Sequence, residues 1–275
     1  MKVRVGHSPD PDDAFMFYGF SSGAVKLKGY EFIEVVEDIE SLNKRAMKGE
    51  LEVTAVSANA YAFTGNKYYI LSSGSSMGFG YGPMVVARKH LSREELKRKT
   101  IAIPGKNTTA YLLLQLVLGK VKVVEMSFEK IIGAVARGEV DAGLLIHEGQ
   151  LTYASSNLEN VLDIASWWNK ESGNLPLPLG LDATRRDLGR EFAKKFSDLL
   201  RDSINYGLAE KEKSMNYAAK FARGVSMDIV EKFTLMYVND LTLDMGSKGQ
   251  AALEFLYQQA AEKGIIPDIP DLEII

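Results

Sequence analysis

Apolar and polar positions follow the same order twice within the first 150 residues of the chain. The first series consists of KVRVG (2–6), AFMFYGF (14–20), YEFIEVV (30–36) and SLNKRAMKG (41–49). The second series consists of TIAIPG (100–105), AYLLLQLVL (110–118), VKVVEM (121–126) and SFEKIIGAVARG (127–138). Short apolar runs are typical of buried strands, and longer runs with a polar face are typical of helices. Each series, with the strand that follows it, therefore predicts the order strand–helix–strand–helix–strand.

The end of each series carries the same Gly-Glu pair, which supports an internal repeat. Residues 46–59 read AMKGELEVTAVSAN and residues 135–148 read VARGEVDAGLLIHE, so that Gly49 corresponds to Gly138. Glycine at the end of a helix adopts the left-handed conformation that stops the helix. Any two α/β segments share a loose likeness, but the recurrence of this pair at the same place in the element order favours a repeat.

Two such units predict an α/β protein with two lobes, each built on a parallel sheet that is flanked by helices. The Gly- and Ser-rich segment 72–89 and the Pro- and Gly-containing segment 158–187 provide two crossings between the lobes. We therefore expect lobe 1 to comprise residues 1–86 and 182–275, and lobe 2 to comprise residues 87–181. This is the architecture of a type II periplasmic-binding-protein-like fold, with a ligand cleft between the lobes and the helical C-terminal part packed on lobe 1.

The position of the cleft follows from the direction of the strands. Ligands of open parallel sheets bind beyond the carboxyl ends of the strands. In the two units, these ends are followed by four loops that carry most of the unusual polar residues, at positions 6–13, 57–61, 104–109 and 146–151. We expect the four loops to line one cleft.

The first of these loops carries three aspartates and two prolines in the sequence HSPDPDDAF. Asp10 can cap a helix that begins at Pro11, and Asp12 and Asp13 then lie in the first turn, where acidic residues are favourable. The alternatives are an acidic catalytic site and a metal-binding loop. The ligand spacing, central glycine and distal glutamate of an EF-hand are absent, so we predict no metal site.

The segment PGKNTTAY (104–111) begins the apolar helix of the second unit. Thr108 or Thr109 can cap this helix, and the free backbone N–H groups of its first turn can bind an anion such as a carboxylate. Capping alone accounts for the same residues, so both interpretations stay open. The segment lacks the spacing of a phosphate-binding G-x-x-x-x-G-K-[ST] loop.

The chain contains three histidines, of which His147 is the candidate catalytic residue. It directly follows the apolar segment AGLLI (142–146) and is therefore expected at the rim of the cleft. Imidazole is the usual general base near neutral pH, although a lone histidine is more commonly structural. His7 follows the first strand and could also face the cleft. His90 precedes a helix-capping sequence and is expected at the surface.

The paired tryptophans and the serines also bear on the possible chemistry of the site. The paired Trp167 and Trp168 can line a pocket for a ring or pack in the core. No serine lies in the G-x-S-x-G sequence of a nucleophile elbow, so a Ser-His-Asp triad is not predicted.

Composition narrows the classes of function. The chain contains no cysteine, which excludes disulfides, thiolate metal sites and cysteine nucleophiles. The formal net charge is −3 and the basic residues are dispersed, so we expect no nucleic-acid partner. No apolar run is long enough for membrane insertion. The first residues do not follow the pattern of a signal peptide, which predicts a cytoplasmic location; a chain trimmed of its leader would read the same.

Four segments together carry a family resemblance: SPDPDDAFMFY, IPGKNTTAYLLL, DAGLLIHEGQLTY and LPLPLG. They resemble the 1,4-dihydroxy-6-naphthoate synthases of the futalosine route to menaquinone over most of the first 180 residues. The segment MYVNDLTLDMGSKGQAAL (236–253) resembles the C-terminal part of the same family. The most specific element is HEGQLTY, which begins with His147.

The resemblance implies a carbon–carbon lyase that requires no cofactor. Its substrate would be a small anionic molecule, cyclic de-hypoxanthine futalosine, and its product 1,4-dihydroxy-6-naphthoate. The resemblance further implies that His147 is the general base. The expected substrate-binding residues are Ser8, Asp13, Ser57, Asn59, Asn107, Thr108 and Thr109.

The opening loop departs from the family's usual SPCPNDTF at three positions. This chain has Asp10 for the cysteine, Asp12 for the asparagine and Ala14 for the threonine, whereas Ser8 and Asp13 match. Two additional carboxylates beside the cleft would weaken the binding of an anionic substrate unless they point away from it.

Two other functions stay open on the sequence. A non-catalytic protein that binds a small anion could use the same cleft, and it would be expected to have a leader peptide and to bind its ligand without His147. The sibling enzyme chorismate dehydratase shares the fold and is also cytosolic. The HEGQLTY segment favours the naphthoate synthase. No pattern in the sequence indicates an oligomeric state.

Overall fold

The structure, a computed structural model, describes residues 1–222 and 224–275. The strands within these ranges are β1 (Lys2–His7), β2 (Glu31–Val36), β3 (Val53–Ser57), β4 (Tyr68–Ile70), β5 (Ser76–Gly78), β6 (Met84–Ala87), β7 (Thr100–Ile103), β8 (Lys122–Glu125), β9 (Ala142–Leu145), β10 (Glu159–Asp163) and β11 (Leu177–Arg185).

The helices connect and flank these strands. They are α1 (Pro11–Ser21), α2 (Ile39–Lys48), α3 (Ala58–Tyr61), α4 (Arg93–Leu96), α5 (Thr109–Leu118), α6 (Phe128–Arg137), α7 (Gly149–Thr152), α8 (Ile164–Ser172), α9 (Arg190–Ala209), α10 (Lys211–Ala218), α11 (Met227–Tyr237), α12 (Asp240–Leu243) and α13 (Gly246–Glu262). None of the helices in the described ranges is long and apolar enough to cross a membrane.

The first unit forms a sheet with β1 at the centre of its parallel strands. The strand order is β2-β1-β3-β11-β4, and β5 also pairs with β11. Strand β1 runs parallel to β2 and β3, whereas β11 lies antiparallel beside β3. The buried side chains of Val3, Val5 and Val53 belong to the apolar core on which this sheet packs.

The second unit repeats this arrangement. Its strand order is β10-β6-β9-β7-β8, in which β7 runs parallel to β8 and β9, and β6 lies antiparallel beside β9. In both sheets the first strand of the unit is therefore flanked by the second and third, and an antiparallel strand follows the third. The predicted repeat of strand–helix–strand–helix–strand is confirmed.

The Gly-Glu pairs occupy equivalent positions in the two units. Gly49 follows α2 with φ 70°, and Gly138 follows α6 with φ 78°, both in the left-handed conformation. A side chain is strained in this conformation. Each glycine therefore ends its helix in the way that the sequence pattern predicts.

The chain passes between the sheets in two places, between β5 and β6 and between β10 and β11. The predicted lobe boundaries at 86/87 and 181/182 fall within β6 and β11, each of which belongs to a single sheet. Pro178 lies within β11 beside an irregularity in its pairing with β5, which explains why this strand is hard to recognise in the sequence. We propose that the crossings lie within residues 79–83 and 164–176.

The C-terminal helices pack mainly on the first unit, as predicted. Helices α9, α10 and α11 contact α1, and Phe15, Phe17 and Phe196 are fully buried in the apolar cluster they share. Helix α13 lies against β11 and α5 instead, and the Tyr257 hydroxyl donates a hydrogen bond to the carbonyl of Ala58 at 2.7 Å. The last helix therefore also contacts the second unit.

The two tryptophans belong to the core. Trp168 is fully buried, its Nε1 donates a hydrogen bond to the carbonyl of Leu175 at 2.8 Å, and its ring meets that of Phe255 edge-on. Trp167 is half-buried against the same cluster. Of the two roles that the sequence leaves open for this pair, the structure supports core packing.

Candidate active site

A cavity lies between the two sheets, beside the carboxyl ends of their parallel strands. It holds about 720 Å³ of space not filled by atoms, its open mouth included. Ser8, Ser57, Thr108 and His147 line it, one from each of the four loops that the sequence places at the cleft. The structure therefore brings the four loops around one cavity.

His147 is the imidazole that lines this cavity. It follows β9 with φ 53°, a left-handed conformation that is uncommon for a residue other than glycine. The ring packs against Phe128 and Phe233, with ring centroids 4.7 Å and 6.3 Å away. Its Nε2 atom is buried and has no hydrogen-bond partner among the described residues. A ligand in the cavity could supply that partner.

Asp10 takes the N-cap position of α1, but its side chain does not cap the helix. One carboxylate oxygen, Oδ2, instead accepts a hydrogen bond from the Ser8 hydroxyl at 2.5 Å and lies 3.3 Å from Nδ1 of His147. The helix start at Pro11 is thus predicted correctly, whereas the expected side-chain cap is wrong. The carboxylate is turned toward the hydroxyl and the imidazole.

The order of contacts among Ser8, Asp10 and His147 differs from that of a nucleophilic triad. In a triad the serine hydroxyl bonds to the histidine, and the aspartate lies on the far side of the imidazole. Here the carboxylate lies between the hydroxyl and the imidazole, because Ser8 donates to Asp10. The Ser8 hydroxyl is therefore not activated as a nucleophile.

Three aspartates line the cavity: Asp12, Asp13 and Asp182. Burial raises the pKa of Asp12 well above its ordinary value, and the charges of Asp13 and Asp10 raise it further. Burial likewise raises the pKa of Asp182 well above its ordinary value, with a contribution from Asp13. The pKa of Asp13 is raised by burial as well, against the opposing charge of His7. The cavity wall thus favours protonated carboxyl groups, which donate as well as accept hydrogen bonds.

Asp182 is a cavity residue that the sequence reasoning missed. It lies on β11, the strand obscured by prolines, and its Oδ1 atom is buried without a hydrogen-bond partner in the described ranges. Its other oxygen packs against Gly74, which has φ 90°. A Cβ atom at Gly74 would lie 2.2 Å from Oδ2 of Asp182 and 2.7 Å from Cδ2 of Leu200.

We expect Gly74→Ala to lower the free energy of unfolding by about 2–4 kcal/mol, since left-handed strain and overpacking act together. Urea unfolding monitored by circular dichroism measures this loss. Gly23→Ala is the matched control, because Gly23 has φ 77° and nothing within 4 Å of the added Cβ. The free energy of unfolding of Gly23→Ala should fall only by the part that is due to backbone strain. Equal losses in the two variants would show that the contact with Asp182 contributes nothing.

Ser57 ends β3 and presents a hydroxyl to the cavity. The side chain of Asn43 on α2 holds it from behind: Asn43 Nδ2 donates to Ser57 Oγ at 3.0 Å, and the Ser57 backbone N–H donates to Asn43 Oδ1 at 2.8 Å. The Ser57 hydroxyl therefore accepts a bond from the protein and can donate its own proton to a ligand. Sequence reasoning did not identify Asn43 as this support.

Thr108 caps α5, as one of the two sequence interpretations predicted. Its Oγ1 accepts a hydrogen bond from the backbone N–H of Tyr111 at 3.3 Å and donates to the carbonyl of Gly105 at 2.8 Å. Thr108 also lines the cavity, so its capping role does not remove it from the site.

Thr109 and Ala110 bring the first turn of α5 to the cavity. The Thr109 hydroxyl donates to the carbonyl of Leu179 at 2.5 Å and accepts from the backbone N–H of Asn59 at 3.3 Å, so it is engaged within the protein. The first backbone N–H groups of a helix have no intrahelical partner. Those of Thr109 and Ala110 are therefore the groups here that suit an anion.

Asn59 and Asn107 do not line the cavity. Asn59 Nδ2 donates to the carbonyl of Lys106 at 3.0 Å. Asn107 donates to the Glu40 carboxylate through its backbone N–H at 3.1 Å and through Nδ2 at 2.6 Å. Both asparagines thus link the loop at 104–109 to elements of the first sheet, and their contact with a substrate stays a prediction.

His7 lies outside the cavity lining and is fully buried. Its ring stacks on Phe17 at 4.8 Å, and its Nε2 lies 3.1 Å from the carboxylate of Glu34. Burial lowers the pKa of His7, but the hydrogen bond with Glu34 and the charge of Asp13 outweigh it, so the pKa is raised. His7 on β1 is therefore an ion-pair partner of Glu34 on the adjacent β2.

The far C-terminal part contributes to the site through α11. Phe233 and Tyr237 of this helix line the cavity together with Gln150 of α7. Gln150 Nε2 donates to the Tyr237 hydroxyl at 3.0 Å, and burial raises the pKa of Tyr237 above its ordinary range. Sequence reasoning did not place Phe233 and Tyr237 at the cavity, because α11 reaches it only through the tertiary packing of the C-terminal helices.

Lysine and arginine side chains are absent from the cavity lining in the part of the chain that the structure describes. Within those residues, electrostatic complementarity to an anion comes from backbone N–H groups such as those that begin α5.

Comparison with known proteins places the chain among relatives of nearly its own length. The profile of the menaquinone biosynthesis family matches residues 3–262. A 1,4-dihydroxy-6-naphtoate synthase of Thermus thermophilus is 38% identical, over 98% of this chain and 97% of the relative. A protein of the same name from Streptomyces coelicolor is 34% identical, over 98% of this chain and 96% of the relative. These relatives indicate a menaquinone biosynthesis enzyme.

Solved structures agree with the two-lobed fold. Protein AF1704 from Archaeoglobus fulgidus superposes with a TM-score of 0.92 at 49% identity, over 96% of this chain and 98% of that one. The alkanesulfonate-binding protein SsuA from Xanthomonas axonopodis pv. citri superposes with a TM-score of 0.76 at 13% identity, over 100% and 98%. The second likeness concerns the fold alone and confirms the periplasmic-binding-protein-like architecture. On the match of the family profile and the identity to the two synthases, the chain belongs to the menaquinone biosynthesis family.

Proposed function

We propose that the protein is a cytoplasmic carbon–carbon lyase that converts cyclic de-hypoxanthine futalosine into 1,4-dihydroxy-6-naphthoate. Two relatives that match nearly the whole chain are named 1,4-dihydroxy-6-naphtoate synthases. The HEGQLTY segment, on which the resemblance rests most, contributes His147 and Gln150 to the cavity.

The observation that carries this proposal is the buried Nε2 atom of His147, which has no partner among the described residues. Leaving a buried polar atom unpaired costs about 1–3 kcal/mol, and a substrate group in the cavity would remove this cost. A general base must lie within hydrogen-bond reach of the proton that it removes. His147 lines the cavity, and the proposed reaction requires a substrate group to reach its Nε2 atom there.

In the proposed mechanism, Nε2 of His147 takes a proton from a hydroxyl group or a ring-adjacent carbon of the substrate. When a hydroxyl is deprotonated, its oxygen forms a carbonyl as the neighbouring carbon–carbon bond breaks. The electrons of that bond remain with the ring fragment, whose aromatisation drives the step. Closure of the lobes excludes water and aligns the ring.

Three kinds of group are available to hold the substrate. The Ser57 hydroxyl can donate to a substrate oxygen, and the backbone N–H groups of Thr109 and Ala110 can bind a carboxylate. Burial raises the pKa values of Asp12 and Asp182, and in their protonated form these carboxyl groups can donate to hydroxyl or carbonyl oxygens. This arrangement reconciles an anionic substrate with an acidic cavity wall, since a protonated carboxyl group carries no charge.

We expect Ser57→Ala to raise KM by up to about tenfold, which corresponds to the loss of one neutral hydrogen bond. Initial rates over a range of substrate concentrations measure the change. Ser247→Ala, at an exposed position on α13, is the matched control and should leave KM unchanged. An unchanged KM in Ser57→Ala would remove Ser57 from the proposed binding groups.

The proposed activity is tested by incubating the protein with cyclic de-hypoxanthine futalosine and, separately, with chorismate. The product is followed by absorbance and identified by mass. We expect formation of 1,4-dihydroxy-6-naphthoate and no consumption of chorismate. Dehydration of chorismate would instead establish the sibling reaction, and binding of the futalosine derivative without turnover by folded protein would establish a non-catalytic binding protein.

A further inference from the structure

The imidazole proposed as the base meets a carboxylate that comes from the other sheet. His147 follows β9 of the second sheet, and Asp10 follows β1 of the first. Asp10 Oδ2 lies 3.3 Å from Nδ1 of His147, and only 1% of Asp10 is exposed. The pair therefore joins the two sides of the cavity at its proposed catalytic residue.

The carboxylate of Asp10 is fixed by its own loop. The Ser8 hydroxyl donates to the same Oδ2 atom at 2.5 Å, and the Ser8 backbone N–H donates to Asp13 Oδ2 at 2.7 Å. Asp13 lies in the first turn of α1, so these bonds tie the loop to the helix. Pro9 and Pro11 restrict the backbone on both sides of Asp10. The carboxylate thus has a defined position that does not depend on the imidazole.

The orientation of the imidazole is equally constrained. The uncommon backbone conformation of His147 and the rings of Phe128 and Phe233 hold it in place. Nδ1 lies 3.3 Å from Asp10 Oδ2, and the opposite nitrogen, Nε2, is the one left unpaired and buried. In neutral histidine one ring nitrogen carries the proton and the other accepts. A carboxylate beside Nδ1 favours the proton on Nδ1 and leaves Nε2 as the acceptor.

We propose that Asp10 is a positioning residue for His147: its carboxylate holds the Nδ1 proton and thereby fixes the tautomer in which Nε2 can act as the base. Because the two side chains come from different sheets, the base is complete only when the lobes are together. The expected effect of Asp10 on kcat rests on the function proposed above, whereas the expected position of the His147 proton does not. This role accounts for the aspartate at position 10, which is one of the three departures from the SPCPNDTF pattern.

Nitrogen-15 NMR of histidine-labelled protein tests the tautomer directly. The chain has three histidines, and His90→Gln and His147→Asn assign the signals by removal. In the unsubstituted protein we expect His147 to carry its proton on Nδ1. In Asp10→Asn the side-chain amide can donate to Nδ1, so we expect the proton to move to Nε2. Asp12→Asn, which changes a neighbouring carboxyl group that has no contact with the imidazole in the described structure, is the matched control and should leave the tautomer unchanged.

Steady-state kinetics test the catalytic consequence. Loss of a group that orients a metal-bound histidine costs about 10–100-fold in activity, and we expect kcat of Asp10→Asn to fall by a similar factor. KM should change less than kcat, because Asp10 holds the base and not the substrate. Asp10→Glu retains a carboxylate and should recover part of kcat. Circular dichroism and thermal unfolding verify that both variants fold.

The outcomes separate this inference from the proposed function. A proton on Nε2 in the unsubstituted protein, or an unchanged tautomer in Asp10→Asn, would overturn the inference whether or not the protein turns over substrate. If Asp10→Asn moves the proton as expected but the unsubstituted protein has no lyase activity, the Asp10–His147 interaction stands and the proposed reaction is refuted. If Asp10→Asn shifts the tautomer but keeps full kcat, the positioning role in catalysis is refuted.

Discussion

His147→Asn is expected to lower kcat for naphthoate formation by about 10²–10⁴-fold, the range for the loss of a general base. The physical reason is that the asparagine amide has no basic nitrogen to replace Nε2. Asparagine adopts left-handed backbone conformations more readily than alanine does, so it suits the φ of 53° at this position. Substrate affinity should change far less than kcat, since the cavity wall is otherwise retained. Initial-rate kinetics and calorimetric titration measure the two quantities.

His90→Gln provides the matched control for this experiment. His90 is exposed and lies outside the cavity lining, so its replacement should leave kcat and KM unchanged. Turnover that survives undiminished in folded His147→Asn would refute the assignment of the base, although it would leave the overall reaction standing.

Asp182→Asn is expected to stabilise the protein at neutral and alkaline pH by about 1–3 kcal/mol, because each pH unit over which only the folded state holds the Asp182 proton costs about 1.4 kcal/mol. Burial raises the pKa of Asp182 well above its ordinary value of 3.8. The folded protein therefore holds a proton that the unfolded chain releases, and the contribution of Asp182 to stability is largest below pH 3.8. This contribution is lost as the pH rises through the folded-state pKa. Asparagine does not titrate, so the variant escapes this loss.

The measurement is urea unfolding of the two proteins between acidic and alkaline pH. The difference in unfolding free energy should be small in acid and should grow in favour of Asp182→Asn as the pH rises. Asp202→Asn, at an exposed position on α9, is the matched control and should show no such trend. A difference that is constant with pH would contradict a raised pKa for Asp182 in the folded protein.

Much of the fold was predictable because it is repeated and locally encoded. Gly49 and Gly138 mark equivalent helix ends, and the elements around them alternate in the same order, so the two parallel units could be recognised without a structure. Pro11 begins α1 and Thr108 caps α5, as the local sequence predicts. Since strand ends carry the site in such sheets, the loops containing Ser57 and His147 followed from the same pattern.

The rest of the site depends on contacts between distant parts of the chain. Asp182 lies on β11, in which Pro178 interrupts the usual strand pattern, and α11 reaches the cavity only through tertiary packing. Asn107, which the family resemblance places at the substrate, binds Glu40 of the other unit through its amide, and its contact with a substrate stays a prediction. Asp10 reads locally as a helix cap, but the nearby His147 competes for its carboxylate. For Asp182, α11 and Asn107, contacts with distant parts of the chain decide the role of the side chain, whereas Asp10 is held by Ser8, two residues away, and meets His147 from the other sheet.

The most direct test of the account is a crystal structure of His147→Asn with cyclic de-hypoxanthine futalosine. We expect intact substrate in the cavity, with the oxygen or carbon that loses its proton within about 3.5 Å of the position that Nε2 of His147 occupies in the unsubstituted protein, a distance set by hydrogen-bond geometry. A substrate bound instead in the outer groove formed by residues 38–44 and 125–129, or one whose reacting group is turned away from position 147, would contradict it.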